Sequence, residues 1–164
     1  AKIYKQKALL EYMDSLDATK NKTKLLGSWK VQEIHYQYLD STYIMKDEDH
    51  GRFLFSENNY AVMYNPRMQK RQPFKNLSNP ESNEVKDAFA SIVFNTGNYI
   101  LKDSIITTTA DIAKVPGFEN GKQFYTMNLS NNILELIMYD EIYPNGKKPE
   151  WFGKLKIKFI LKKE

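Results

Sequence analysis

The chain has 164 residues, 41% of them apolar and 27% charged, with a net charge of +4 and no cysteine. One domain is the default at this length, and the missing thiols exclude a disulfide framework, a thiolate zinc site, an iron–sulfur cluster and a cysteine nucleophile. No run approaches the roughly 18 apolar residues of a membrane-spanning helix, and all but Arg52, Arg67 and Arg71 of the 24 basic residues are Lys, outside any aromatic-interleaved basic run that would suit nucleic acid.

Residues 3 to 17 carry Leu9, Tyr12, Met13 and Leu16 at helical spacing, with Lys5, Glu11 and Asp14 on other faces. This predicts one amphipathic helix, closed by the polar stretch 17–24. From Leu25-Leu26-Gly27-Ser28-Trp29 onward the period becomes two. Eight runs rich in aromatic and β-branched residues follow, at about 28–38, 51–56, 59–65, 97–102, 104–111, 122–129, 133–142 and 151–161. Asn58-Asn59, Asp103-Ser104, Asn131-Asn132 and Asn145-Gly146 supply turn chemistry between neighbours, so the strands should pair in sequence order. Residues 65–80 hold Pro66, Pro73 and Pro80 and read as a loop, followed by one or two helical turns over Glu84–Ala90.

Eight antiparallel strands joined by short connections can close on themselves and so remove their edges. The predicted architecture is all-β, an eight-stranded up-and-down antiparallel barrel with an N-terminal helix. It occupies a single domain over 1–164, with helix and lead-in over 1–24 and barrel over 25–164. Period-two parity turns Leu155, Ile157, Phe159 and Leu161 inward and Lys154, Lys156 and Lys158 outward. Tyr99, Leu101, Leu134, Leu136, Met138, Phe53 and Phe55 face inward by the same rule. Tyr125, Met127 and Leu129 compete with Phe124 for the interior.

Leu26-Gly27-Ser28-Trp29-Lys30-Val31, preceded by a helix, resembles the Gly-x-Trp signature of lipocalins and lipocalin-like domains. The order Gly51-Arg52-Phe53-Leu54-Phe55, Tyr60-Ala61-Val62-Met63 and Gly97-Asn98-Tyr99-Ile100-Leu101, then a long loop with Pro116 and Gly121, is similar to the compact bacterial members, most without assigned function. The resemblance covers about residues 25–161. It implies that Trp29 plugs the narrow end of the barrel, entered closely through Gly27, under an Arg from the last strand. No Arg follows Arg71 here, so Lys158 or Lys162 is expected to replace it as a cation–π cover. The start at Ala1 without an initiator Met, taken with the resemblance, sets the periplasm or cell surface as the expected location, with the cytoplasm as the alternative.

A barrel of this size either fills its interior with side chains or holds one small ligand. Eleven Tyr and six Met suit a pocket for a partly polar hydrophobe, and they equally suit a filled core. The expected function is non-catalytic binding of a small, mostly hydrophobic molecule in the lumen, lined by Tyr36, Phe53, Phe55, Tyr99, Thr107, Tyr125, Met127, Leu136 and Met138. No catalytic residue, metal or cofactor is assigned. An alternative is an isomerase or cyclase acting on a hydrophobic metabolite, with His35, Tyr36 or Tyr99 as acid or base. Another is a filled-core envelope protein acting through protein contacts, favoured by a cavity below about 300 Å³. Asp47-Glu48-Asp49-His50 reads as a solvated turn that lacks calcium-loop spacing. Arg67, Lys70, Arg71 and Lys75 belong to a surface loop or to a mouth that attracts an anionic group.

Overall fold

No Gly or Pro interrupts the first 26 positions, and Lys, Ala and Leu are common there, so the chain stays helical well past the polar stretch expected to end it. In the computed structural model, which describes residues 2–46, 51–67 and 69–164, α1 spans Lys2–Leu25. The hydroxyls of Thr19 and Thr23 fold back onto the carbonyls of Ser15 and Thr19. Leu9, Tyr12, Met13 and Leu16 are at least half exposed rather than packed on the barrel. The helix docks through its last turn, where Leu25 is fully buried. Among the described residues no helix is long and apolar enough to cross a membrane.

The described strands are β1 (Gly27–Tyr38), β2 (Thr42–Lys46), β3 (Gly51–Phe55), β4 (Asn59–Tyr64), β5 (Val93–Lys102), β6 (Ile105–Ala113), β7 (Lys122–Ser130), β8 (Ile133–Ile142) and β9 (Leu155–Lys163), with α2 (Ser82–Ala90) between β4 and β5. All neighbours are antiparallel, and β1 pairs with β9 to close the sheet. β3 pairs with Gly27–Lys30 and β2 with Glu33–Gln37 on the same side of β1, so these two short strands form the halves of one stave. The result is the expected closed barrel of eight staves. β2 is the element the sequence reading omits: only Met45 of its five residues is buried, and a tight turn from Tyr38 to Ser41 leads into it. β5 begins at Val93 rather than 97, and residues 151–154 form turns, with Gly153 at φ +75°, so β9 starts at Leu155.

Three register shifts bend the wall, at Val31/Glu33, Thr96/Gly97 and Phe124/Tyr125. The second requires glycine, because a Cβ on Gly97 would lie 2.0 Å from the carbonyl oxygen of Thr109. Each bulge also shifts the inward/outward alternation beyond it by one residue.

The inward set agrees with parity for Phe53, Phe55, Tyr99, Leu134, Leu136, Met138, Ile157, Phe159 and Leu161, all buried, and Tyr125 and Met127 take the interior over Phe124. Thr107 is the exception. It lies on the outer face between buried Ile106 and Thr108, and Thr108 is the residue that points inward. Phe53 contacts Phe159, Tyr64 and Tyr125 with ring centres 4.9, 6.1 and 6.3 Å apart, and Phe55 meets Tyr99 edge-on at 5.3 Å. The middle of the lumen is therefore packed with rings.

Candidate functional site

The two ends of the barrel differ in kind. The end that receives α1 also holds the short 55–59, 102–105 and 130–133 connections and the last residues of β9. Gly27 enters at φ +122°, a conformation that disfavours a side chain, and Trp29 is fully buried with its Nε1 donating to the Leu25 carbonyl at 2.7 Å. Lys163, not Lys158 or Lys162, covers the indole: its Nζ lies 4.9 Å from the ring and donates to the carbonyls of Lys24 and Leu26. Lys158 instead pairs with Glu135 at 3.1 Å, and Lys162 is exposed on the outer wall. Parity explains the displacement, since Lys163 continues the inward series 157, 159, 161. Beside it the carboxylate of Glu164 accepts two bonds from Arg52 and one from Ser28. These bonds, the Arg52 contact foremost, hold its pKa down to about 2.

The opposite end carries the long connections 65–92, 114–121 and 143–154. A cavity of about 530 Å³ opens there. Val115, Pro116 and Phe118 from one loop and Tyr143 and Pro144 from another form its outer walls, while Tyr64 and Met138 from the staves lie at its base. Tyr64 also stacks into the ring cluster around Phe53 and Phe159, so packed core forms the floor.

Five polar residues form a hydrogen-bonded chain at this end. The Tyr60 hydroxyl donates to Asn95 Oδ1 at 2.6 Å, and Asn95 Nδ2 donates to Gln123 Oε1 at 3.5 Å, as does the Tyr125 hydroxyl at 3.0 Å. Gln123 Nε2 then donates to Glu141 Oε2 at 2.7 Å. Asn95, Gln123 and Glu141 all line the cavity. Burial is the main influence on the Glu141 carboxyl and raises its pKa; the Gln123 bond opposes it and neighbouring Asp140 adds to it. Asp140 itself pairs with Lys148. The Tyr64 hydroxyl is buried without a hydrogen-bond partner among the described residues, and burial, then the Tyr36 hydroxyl and the Glu141 charge, push its pKa far above the usual range. Lys114, the one lysine in the cavity lining among the described residues, is already engaged. Its Nζ donates to the carbonyls of Phe89 and Ile92, capping the end of α2, and lies 4.1 Å from the Phe89 ring.

The expected lining residues separate into four groups. Met138 lies in the cavity wall. Phe53, Phe55, Tyr99, Tyr125, Met127 and Leu136 belong to the packed core below it. Tyr36 faces a second, shallower groove with Tyr43, Met45 and Pro66, its hydroxyl donating to the Pro66 carbonyl. Thr107 lies outside. The acid–base trio is not assembled either: Tyr99 donates to the Ser56 carbonyl at the closed end, and His35 points outward, its Nε2 2.6 Å from Glu33. That bond, foremost, and Lys46 lower the Glu33 pKa. In the 65–80 loop, Arg67 pairs with Asp87, Arg71 donates to Ser91 and Lys75 contacts Glu81, so these cations tie the loop to α2 instead of facing the cavity. Asp47-Glu48-Asp49-His50 lies outside the described residues, and among those described no metal-binding cluster forms.

The cavity residues that sequence reasoning missed carried a partial signal. Asn95 and Gln123 are polar residues at inward positions, which is the mark of a buried site rather than of a core. Glu141 gave none. Strict alternation from Met138 places it outside, and it turns inward because Tyr139 is bulged out of the β7–β8 pairing.

No family model and no curated protein matches the chain. Among solved structures it is similar to a lipocalin-like protein from Bacteroides uniformis ATCC 8492, with a TM-score of 0.45 and 18% identity over 86% of this chain and 99% of that one. It is also similar to an uncharacterized protein from Bacteroides eggerthii DSM 20697, with a TM-score of 0.44 and 17% identity over 85% and 99%.

Proposed function

We infer that the barrel binds a small, mostly hydrophobic molecule without transforming it, in the mouth cavity rather than along the whole lumen. The cavity volume of about 530 Å³ is the observation that carries this reading. It lies within the roughly 300–1,000 Å³ range of small-molecule pockets, above the size at which a filled barrel acting through protein contacts is favoured. Val93, Val115, Pro116, Phe118 and Met138 offer apolar surface, worth about 25 cal/mol for each Å² removed from water. The polar floor fixes which end of the guest enters first.

A neutral naphthylamine fluorophore should show saturable, one-to-one binding. Ala113→Trp and Met138→Trp, which place an indole in the cavity, should abolish it, whereas Ile112→Trp on the exposed outer face should not. Absence of saturable binding, or binding insensitive to Ala113→Trp in a folded protein, overturns the reading.

A further inference from the structure

We propose that the mouth cavity selects an apolar molecule bearing a protonated amine, with Glu141 as its counter-ion and the Tyr64 hydroxyl as an acceptor beside it. The inference rests on the binding role of the cavity and names the class of guest.

Direction in the hydrogen-bond chain is the first argument. From Tyr60 to Asn95, from Asn95 to Gln123 and from Gln123 to Glu141, every donor lies on the far side and every acceptor on the Glu141 side, and Tyr125 joins in the same sense. Successive dipoles aligned this way polarise one another and present their positive end to a negative group. The chain thus directs its last donor at the Glu141 carboxyl, opposing the burial that favours the protonated form. It satisfies only Oε2; no protein donor reaches Oε1 among the described residues.

Charge balance is the second. Asp140 is matched by Lys148, and the Lys114 ammonium is bound to the carbonyls of Phe89 and Ile92. Among the described residues Glu141 is therefore the cavity's charge without a counter-ion, and the buried Tyr64 hydroxyl in the same lining has no hydrogen-bond partner. A carboxylate in such surroundings is stabilised by an ammonium donor far more than by an alcohol, and it repels a second carboxylate. Phe118 and Tyr143, which line the same cavity with ring centres 6.3 Å apart, suit a cation as well as an apolar body.

Three probes of one skeleton test the assignment: 4-phenylbutylamine, 4-phenylbutanol and 4-phenylbutanoate, each used to displace the bound fluorophore at pH 7. The amine should compete at least tenfold better than the alcohol, and the acid worst. Glu141→Gln, shown to be folded by its thermal unfolding, should lose the amine preference, the amine then competing no better than the alcohol whatever the variant's affinity for the fluorophore. Tyr64→Phe should weaken the amine several-fold and leave the alcohol nearly unchanged. Equal competition by all three, a preference for the acid, or an amine preference that survives Glu141→Gln overturns the proposal while leaving the binding role intact. No fluorophore binding at all overturns both.

Discussion

The Lys163 ammonium lies 4.9 Å from the centre of the Trp29 ring and binds the carbonyls of Lys24 and Leu26, so one side chain joins the last strand, the first strand and the end of α1. The carbonyls that a helix leaves unsatisfied at its C-terminus are supplied here by the indole N–H and this ammonium. Lys163→Met keeps the apolar stem and removes the charge and its bonds. It should destabilise the protein by about 1–3 kcal/mol, combining the cation–π contact with carbonyls left unpaired. Trp29→Ala should cost about 3–5 kcal/mol by opening a cavity in the same place. Urea unfolding measures both, and an unchanged midpoint for Lys163→Met would show the cover to be incidental.

Because Glu164 is held near pKa 2 by Arg52 and Ser28, it contributes stability above its unfolded value, and that contribution is lost as pH falls toward 2. Glu164→Gln should be less stable than the parent at neutral pH. The difference should shrink between about pH 4.5 and pH 2. Unfolding midpoints across that interval check the sign, and parallel curves would contradict it.

Glu141 carries the opposite sign. Its raised pKa means that the folded state favours the protonated form, so its contribution is fully present below the ordinary carboxyl value and is lost as pH rises through the raised one. Glu141→Gln keeps an acceptor for Gln123 and should be more stable than the parent at pH 7, with the gap closing below about pH 4.5. A destabilised variant at pH 7 would mean that Glu141 is there for structure rather than for a guest.

From Ile3 to Asn21 every residue of α1 is exposed, so removing residues 2–20 should leave barrel stability within about 0.5 kcal/mol of the parent. Thermal unfolding of the shortened chain tests this, and a fall of many degrees would reveal packing that those exposed side chains do not suggest.

Parity made the barrel legible because eight staves with buried inner faces repeat one simple rule. It identified the Phe53, Phe159 and Leu161 interior and, extended by two residues, would have found Lys163. It failed where one extra residue intervenes: Tyr139 is bulged, and Glu141 turns inward against the pattern. The helix was legible in kind and wrong in length, because polar Lys, Asn and Thr are not breakers when no Gly or Pro accompanies them. The position of the cavity was hidden for a further reason. Its walls come from the 114–121 and 143–154 connections, whose placement no periodicity encodes.

The protein carries its own reporters of where a guest resides. Met138 lines the mouth cavity, Met45 the groove beside Tyr36, and Met127 the packed core. Methyl-labelled methionine followed by NMR while the neutral naphthylamine is titrated to saturation therefore tests the central claim directly. The Met138 methyl should shift strongly while Met45 and Met127 stay nearly still; a dominant shift at Met45 or Met127, or none at Met138, would contradict it.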